Sequence, residues 1–217
     1  MARIDYRDQD QWSQTTRSTN QSPINIQTNQ VQVRPLSQIQ IILNNLRGIT
    51  AKEIPSGQQF FCEGQVNING QSWQMERFHF HDGAEHLLDG QRYDGELHLV
   101  LKNDQQTAVL GAWLVADENK TSLALKQLFH ANQLAFSLRS LLPQAQGYYH
   151  YQGTLTTPPL LENIEWFILD QPLALNPNDL AAIRANFPDN HRQIQADNGR
   201  LVEYFPVQFH IGNQFSD

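Results

Sequence analysis

The chain has 217 residues, a single cysteine and a formal net charge of −7. That length suits one domain, 1–217, large enough to bury a real core. The acidic balance, with no run of Lys and Arg, argues against a nucleic-acid partner, and a lone Cys62 excludes an intrachain disulfide or a cysteine metal cluster.

The first twelve residues lack the apolar core of a secretory signal, and no stretch is long and apolar enough to span a membrane. Read as it stands, this is the sequence of a cytoplasmic protein. A periplasmic or secreted protein with its signal peptide removed would read the same way. Nothing distinguishes a monomer from a homodimer.

In chain order, "VQVRPLSQIQIILNN" alternates like a strand, with Pro35 interrupting it. "QVNINGQSWQMERFHFH" predicts two strands joined at Asn69-Gly70, a strong hairpin signal. "ELHLVLKN" and "TAVLGAWLVAD" predict two more, joined near Asn103-Asp104. "TSLALKQLFHANQLAFSLRSLLP" predicts a helix capped by Thr121 or Ser122 and ended by Pro143. "IEWFIL" predicts a short buried strand, and "NPNDLAAIRANFP" a second helix with an Asn or Asp cap and a Pro stop. The sum is an α+β domain, mainly β, with peripheral helices.

Four of the eight histidines fall between Glu76 and Val100. In "FHFH", His79 and His81 share one face of a strand and Phe78 and Phe80 the other. In "ELHLV", Glu96 and His98 likewise share a face. If the two strands are neighbours, three imidazoles surround one point. Three neutral ligands leave an ion its full charge and one open position, as in a catalytic zinc site. Glu96 can accept the second ring N–H of a ligand and fix its tautomer. A rival pattern, His79-x-His81-x-x-x-Glu85, opens a cupin metal motif, but the second half of that motif is absent.

Further on, "GTLTTPPLLE" spans Gly153–Glu162. Together with "QSPINI" (Gln21–Ile26), "ILNN" (Ile42–Asn45), "FHFH", "AEH" (Ala84–His86), "GELHLV" and "AVLG" (Ala108–Gly111), it makes the chain resemble the α-class carbonic anhydrases. The resemblance implies a large, twisted, mostly antiparallel central sheet and a conical pocket reaching Zn2+. It implies hydration of carbon dioxide to bicarbonate and a proton by attack of a zinc-bound hydroxide. His79, His81 and His98 take the ligand positions. Thr156 takes the position that orients the hydroxide, and Glu85 the one that accepts the threonine's proton. Val100, Val109, Leu155 and Trp166 fall on the apolar wall, with Thr157 beside Thr156. His86 matches a buried structural histidine, hydrogen-bonded with Glu96. His130, His150, His191 and His210 match no ligand position.

Two residues depart from the family. Arg47 stands where a proton-shuttling histidine is often found, and arginine cannot shuttle. Tyr6, with an ordinary pKa near 10, is a poor substitute. Turnover is therefore expected to be slow and to rise with imidazole buffer. Arg77 stands where the family usually has a glutamine that accepts the other N–H of the first ligand. Arginine has no acceptor. A backbone carbonyl or water is then expected to serve His79, and Arg77 to turn toward a carboxylate.

Overall fold

The structure is a computed structural model describing residues 4–12, 18–42, 49–131 and 138–212. Its centre is one large mixed sheet. The N-terminal part contributes β1 (Asn25–Ile26), which lies in a separate two-stranded sheet, and β2 (Gln32–Val33) and β3 (Ser37–Ile42), with Pro35 in the gap between β2 and β3 as the sequence predicts. Then come β4 (Thr50–Ile54), β5 (Gly57–Ile68) and β6 (Gln71–His81). The β5–β6 hairpin turns at Asn69 and Gly70, both with positive φ (50° and 82°), the backbone that favours Asn-Gly. β4 and the first half of β5 are additions to the sequence reading. Their residues, "TAKEI" and "GQQFF", carry no clean alternation.

β7 (Leu87–Leu88) pairs with β1 and ties down the loop between β6 and β8 (Gly95–Lys102). β9 (Thr107–Ala116), β10 (Gly147–Thr154), β11 (Glu162–Leu169), β12 (Leu173–Leu175) and β13 (Glu203–Gly212) complete the set. The main strand order is β10-β11-β9-β8-β6-β5-β3-β13-β2. Most pairs are antiparallel; β9 is parallel to β11 and β12, and β13 to β2 and β3. β13 also pairs with β10, so it lies between β10 and the β2–β3 segment.

The helices are small and peripheral. α1 is Gln9–Trp12, α2 is Leu125–Ala131 and α3 is Pro177–Asn186. α3 starts as predicted, with the Asn176 side chain accepting from the Asn178 N–H at 2.9 Å. α2 differs from the sequence reading. It covers only part of the predicted span, and residues 138–141 form a separate 3-10 turn. Much of its cap comes from elsewhere in the chain. The Asp179 carboxylate accepts from the N–H of Leu123 (2.6 Å) and Leu125 (3.1 Å) and from Ser122 Oγ (3.0 Å). The tertiary carboxylate thus shares the capping with Ser122, whose Oγ accepts from the Ala124 N–H at 3.0 Å. Among the described residues no helix is long and apolar enough to cross a membrane.

The central strands separate two faces. Phe60, Phe78, Phe80, Leu97, Leu99 and Leu110 build the larger apolar core on one face. On the other lie the histidines, with Val109, Trp113, Tyr151, Trp166 and Ile168 beside them. β8 is buried at every position but its last, as expected of a strand covered on both sides.

Candidate metal centre

Register brings the histidines together. On β6 and β8, His79 stands directly opposite His98, and His81 opposite Glu96. The ring centroids of His79, His81 and His98 lie 4.6–5.2 Å apart. One ligand atom from each lies within 4.8 Å of the others.

Two of the rings are held from behind. His81 Nδ1 meets the Asn190 carbonyl at 2.6 Å. A carbonyl can only accept, so the ring proton sits on Nδ1 and Nε2 presents its lone pair. His98 Nε2 meets Glu96 Oε1 at 2.8 Å, which puts its proton on Nε2 and leaves Nδ1 bare. The two lone pairs then face one another 3.0 Å apart. Such a pair repels unless a cation lies between. Tetrahedral zinc with bonds of about 2.0–2.1 Å sets its nitrogens about 3.3 Å apart. The donor set therefore fits Zn2+.

Protonation agrees with that role. Burial lowers the His79 pKa well below 6.5, and the His81 and His98 charges lower it further. Burial also lowers His81, against the opposing pull of Glu85. Neutral imidazole is the ligand form.

Glu96 is fully buried and fully used. Oε1 accepts from His86 Nδ1 (2.7 Å) and His98, and Oε2 from the backbone N–H of Glu85 and His86 (both 2.8 Å). Burial would raise this carboxyl, but His86 and His98 outweigh it and hold it well below the usual range. His86 passes the chain on through Nε2 to Tyr151 Oη (2.7 Å), which donates to Ser22 Oγ (2.9 Å). His86, Glu96 and His98 are also close enough together to hold an ion, but they are spent on one another.

Glu85 is also fully buried. Its Oε1 accepts from the Arg192 N–H at 2.7 Å. Its Oε2 lies 3.5 Å from His81 Nε2 and 3.9 Å from His98 Nδ1 and has no hydrogen-bond partner, so no bond joins it to Thr156. Arg192 packs into the interior, its Nη1 donating to the Ser22 carbonyl at 2.6 Å. Asn190 and Arg192 come from a loop that the sequence reading left unassigned. They reach His81 and Glu85 through backbone atoms, which leave no signal in residue type.

A pocket opens onto the histidines. Val100, Val109, Leu155, Thr156, Thr157 and Trp166 line it with His79 and His98. Tyr6, Ser56, Gln59 and Arg77 complete the wall. The Thr-Pro loop is shaped by the N–H of Leu155 bonding to the Leu161 carbonyl, and Trp166 Nε1 donates to the Thr154 carbonyl. Arg47 lies outside the described residues.

Arg77 shares the face of His79 and His81. A bulge at Glu76 against β8 lets that carboxylate reach both Arg77 and Lys102, and Arg77 Nε also donates to Gln59 Oε1 at 3.3 Å. His79 Nδ1 is buried without a hydrogen-bond partner. Gly111, on β9 opposite His98, is another contributor the sequence reading passed over. A Cβ there would come within 2.7 Å of Ile168 Cδ1 and 3.2 Å of Glu96 Oε1.

The remaining histidines stand apart. His130 is exposed, His191 bonds Asp82 at 2.7 Å, and His150 lies between Glu165 and Glu203. The side chain of His210 lies outside the described atoms.

A profile of the eukaryotic-type carbonic anhydrases matches residues 7–206. The chain is 30% identical over 196 residues to a carbonic anhydrase of Nostoc sp., covering 84% of this chain and 74% of that one. It is 31% identical over 249 aligned positions to carbonic anhydrase 1 of Mus musculus, covering 89% and 93%. Among solved structures, a Chlamydomonas reinhardtii carbonic anhydrase in complex with acetazolamide superposes with a TM-score of 0.77 at 28% identity, over 86% of this chain and 91% of that one. With three histidines converging on this sheet and these likenesses over most of its length, the chain belongs to the eukaryotic-type, or α-class, carbonic anhydrase family.

Proposed function

We propose that the chain catalyses reversible hydration of carbon dioxide to bicarbonate and a proton, with zinc held by His79, His81 and His98. The observation that carries the metal is the pair of bare nitrogens, His81 Nε2 and His98 Nδ1, fixed 3.0 Å apart by acceptors behind each ring. Zinc, when bound, makes a hydroxide nucleophile available near neutral pH by lowering the pKa of water to about 7.

The rest of the work falls to the chain. Glu96 and Asn190 keep the protons of His98 and His81 on the far nitrogens. Ionised Glu85 can only accept, and its Oε2 has a lone pair to spare for the Thr156 hydroxyl. Once Thr156 donates to that oxygen, it offers only lone pairs to the nucleophile's hydrogen. That aims the nucleophile at carbon and disfavours anions without a proton. The Thr156 backbone N–H binds the bicarbonate product, and Thr157 lies next to it. Val100, Val109, Leu155 and Trp166 give an apolar substrate an apolar resting place. Arg47 cannot carry the proton out, so turnover is limited by proton export to buffer.

The test is stopped-flow hydration on protein of known zinc content, with and without imidazole, and with an aromatic sulfonamide as blocker. Activity proportional to zinc, sulfonamide-sensitive and climbing with imidazole is the expected result. An inactive protein holding one zinc per chain would defeat the catalytic reading. Full speed without added buffer would defeat the missing shuttle alone.

A further inference from the structure

We infer that Gln59, on the neighbouring strand, is the residue that orients His79 when the metal is bound. The inference rests on the zinc reading above.

The three imidazoles are unequally supported. His81 has the Asn190 carbonyl behind it and His98 has Glu96. His79 Nδ1 has nothing, although it is buried. A histidine that ligates through Nε2 carries its proton on Nδ1. That N–H is a donor, and a buried donor without an acceptor costs about 1–3 kcal/mol. The side chain two positions back on the same strand face, Arg77, supplies only donors.

Strand register points to the acceptor. On β5 and β6, Phe60 stands opposite Phe78 and Phe61 opposite Arg77. One step along the same antiparallel register, Gln59 stands opposite His79. Directly opposed residues share a face, with Cβ atoms about 4.5–5.5 Å apart. Faces confirm it: Phe60 and Phe78 stack in the core, while Gln59 and His79 both line the pocket. Gln59 is 2% exposed, an unusual place for a glutamine unless its amide is needed.

Its amide is free to serve. Gln59 Oε1 accepts from Arg77 Nε at 3.3 Å, long beside the usual 2.9–3.0 Å. Arg77 does not depend on that bond, because the Glu76 carboxylate already holds its guanidinium. Glu76 reaches it through the bulge in β6. The bulge therefore holds the arginine without the amide, and the amide carbonyl is left for His79 Nδ1–H. Gln59 is a positioning residue: it acts on the metal through the ring it orients.

The experiment measures zinc dissociation constants by chelator competition on wild type, Q59M and Q59E. The Nδ1–H resonance of His79 is followed by NMR in each zinc-loaded protein. Methionine keeps the length and removes the acceptor; glutamate keeps an acceptor. Q59M should weaken zinc about 10–100-fold and leave the His79 Nδ1–H exchanging fast with solvent. Q59E should stay within a few-fold of wild type, with the proton protected. Equal melting temperatures of the zinc-free proteins are the folding control. Unchanged zinc affinity in Q59M overturns the inference, as does a Q59E as weak as Q59M, which would leave Gln59 a packing role only. A wild type that binds no zinc overturns the metal reading and this inference with it.

Discussion

The metal-site histidines and His150 sit on opposite faces of one sheet, and their surroundings push them in opposite directions. Burial lowers His79 and His81, and in His79 the neighbouring imidazoles add to it. Burial opposes the charge on His150 too. There, hydrogen bonds to Glu165 (2.8 Å) and Glu203 (3.0 Å) outweigh it, and the His150 pKa is raised. Depth alone does not decide what a histidine does. On one face Glu96 and the Asn190 carbonyl hold His98 and His81 from behind, so lone pairs converge. On the other face each ring nitrogen points at its own carboxylate, so Glu165 and Glu203 clamp the ring and favour its charged form across β10, β11 and β13.

Deleting a converging ligand should have the largest effect. His98→Ala should abolish zinc retention and drop hydration to the uncatalysed rate, read by metal analysis and stopped flow. His150→Gln should leave both unchanged. A smaller change tests the support behind the ring. Glu96→Gln exchanges two acceptor oxygens for one and should weaken zinc about 10–100-fold by chelator competition.

Gly111→Ala probes how tightly that support is packed. The added methyl meets Ile168 and Glu96 and should cost about 1–3 kcal/mol, seen as a lower melting temperature.

The smallest effects are in pH dependence, where the two regions have opposite signs. His79 and His81 have folded values below 6.5. Their contribution to the zinc-free protein is present above the unfolded value and is lost as pH falls below it. His150 has a folded value above 6.5. Its contribution is present below the unfolded value and is lost as pH rises through the folded one. Glu203→Gln should reduce the second slope, worth about 1 kcal/mol or less, because Glu165 remains, and leave the first. Melting curves of the zinc-free proteins from pH 5 to 9 would check this; identical curves would contradict the clamp.

The metal-site strands were legible because their signal is local. Period two puts His79 with His81 and Glu96 with His98; that the two strands are neighbours comes from the sheet order, across the 82–94 loop that carries β7. Asn190 and Arg192 were not legible, since a carbonyl and an N–H from a distant loop carry no residue signature. Gln59 escaped notice for a related reason: its place opposite His79 depends on the register of β5, whose first half does not alternate cleanly. The α2 cap was legible only in its local half, Ser122; Asp179 reaches over from α3 for the rest. Arg77 was visible as an exception, and its turn toward Glu76 follows from arginine having nothing to accept with.

The position of β13 between β10 and the β2–β3 segment has a consequence for the newborn chain. β2 and β3 leave the ribosome early, but the strand that covers their outer edge is made about 170 residues later. At roughly 5–20 residues per second that is a wait of about 10–35 s with a ladder of backbone groups uncovered. Arg34 and Pro35 interrupt that edge, the charge and imino acid that discourage a stranger from pairing there first. Substitutions at those two positions should therefore show up in the yield of folded protein made in the cell, while the mature enzyme's chemistry stays the same.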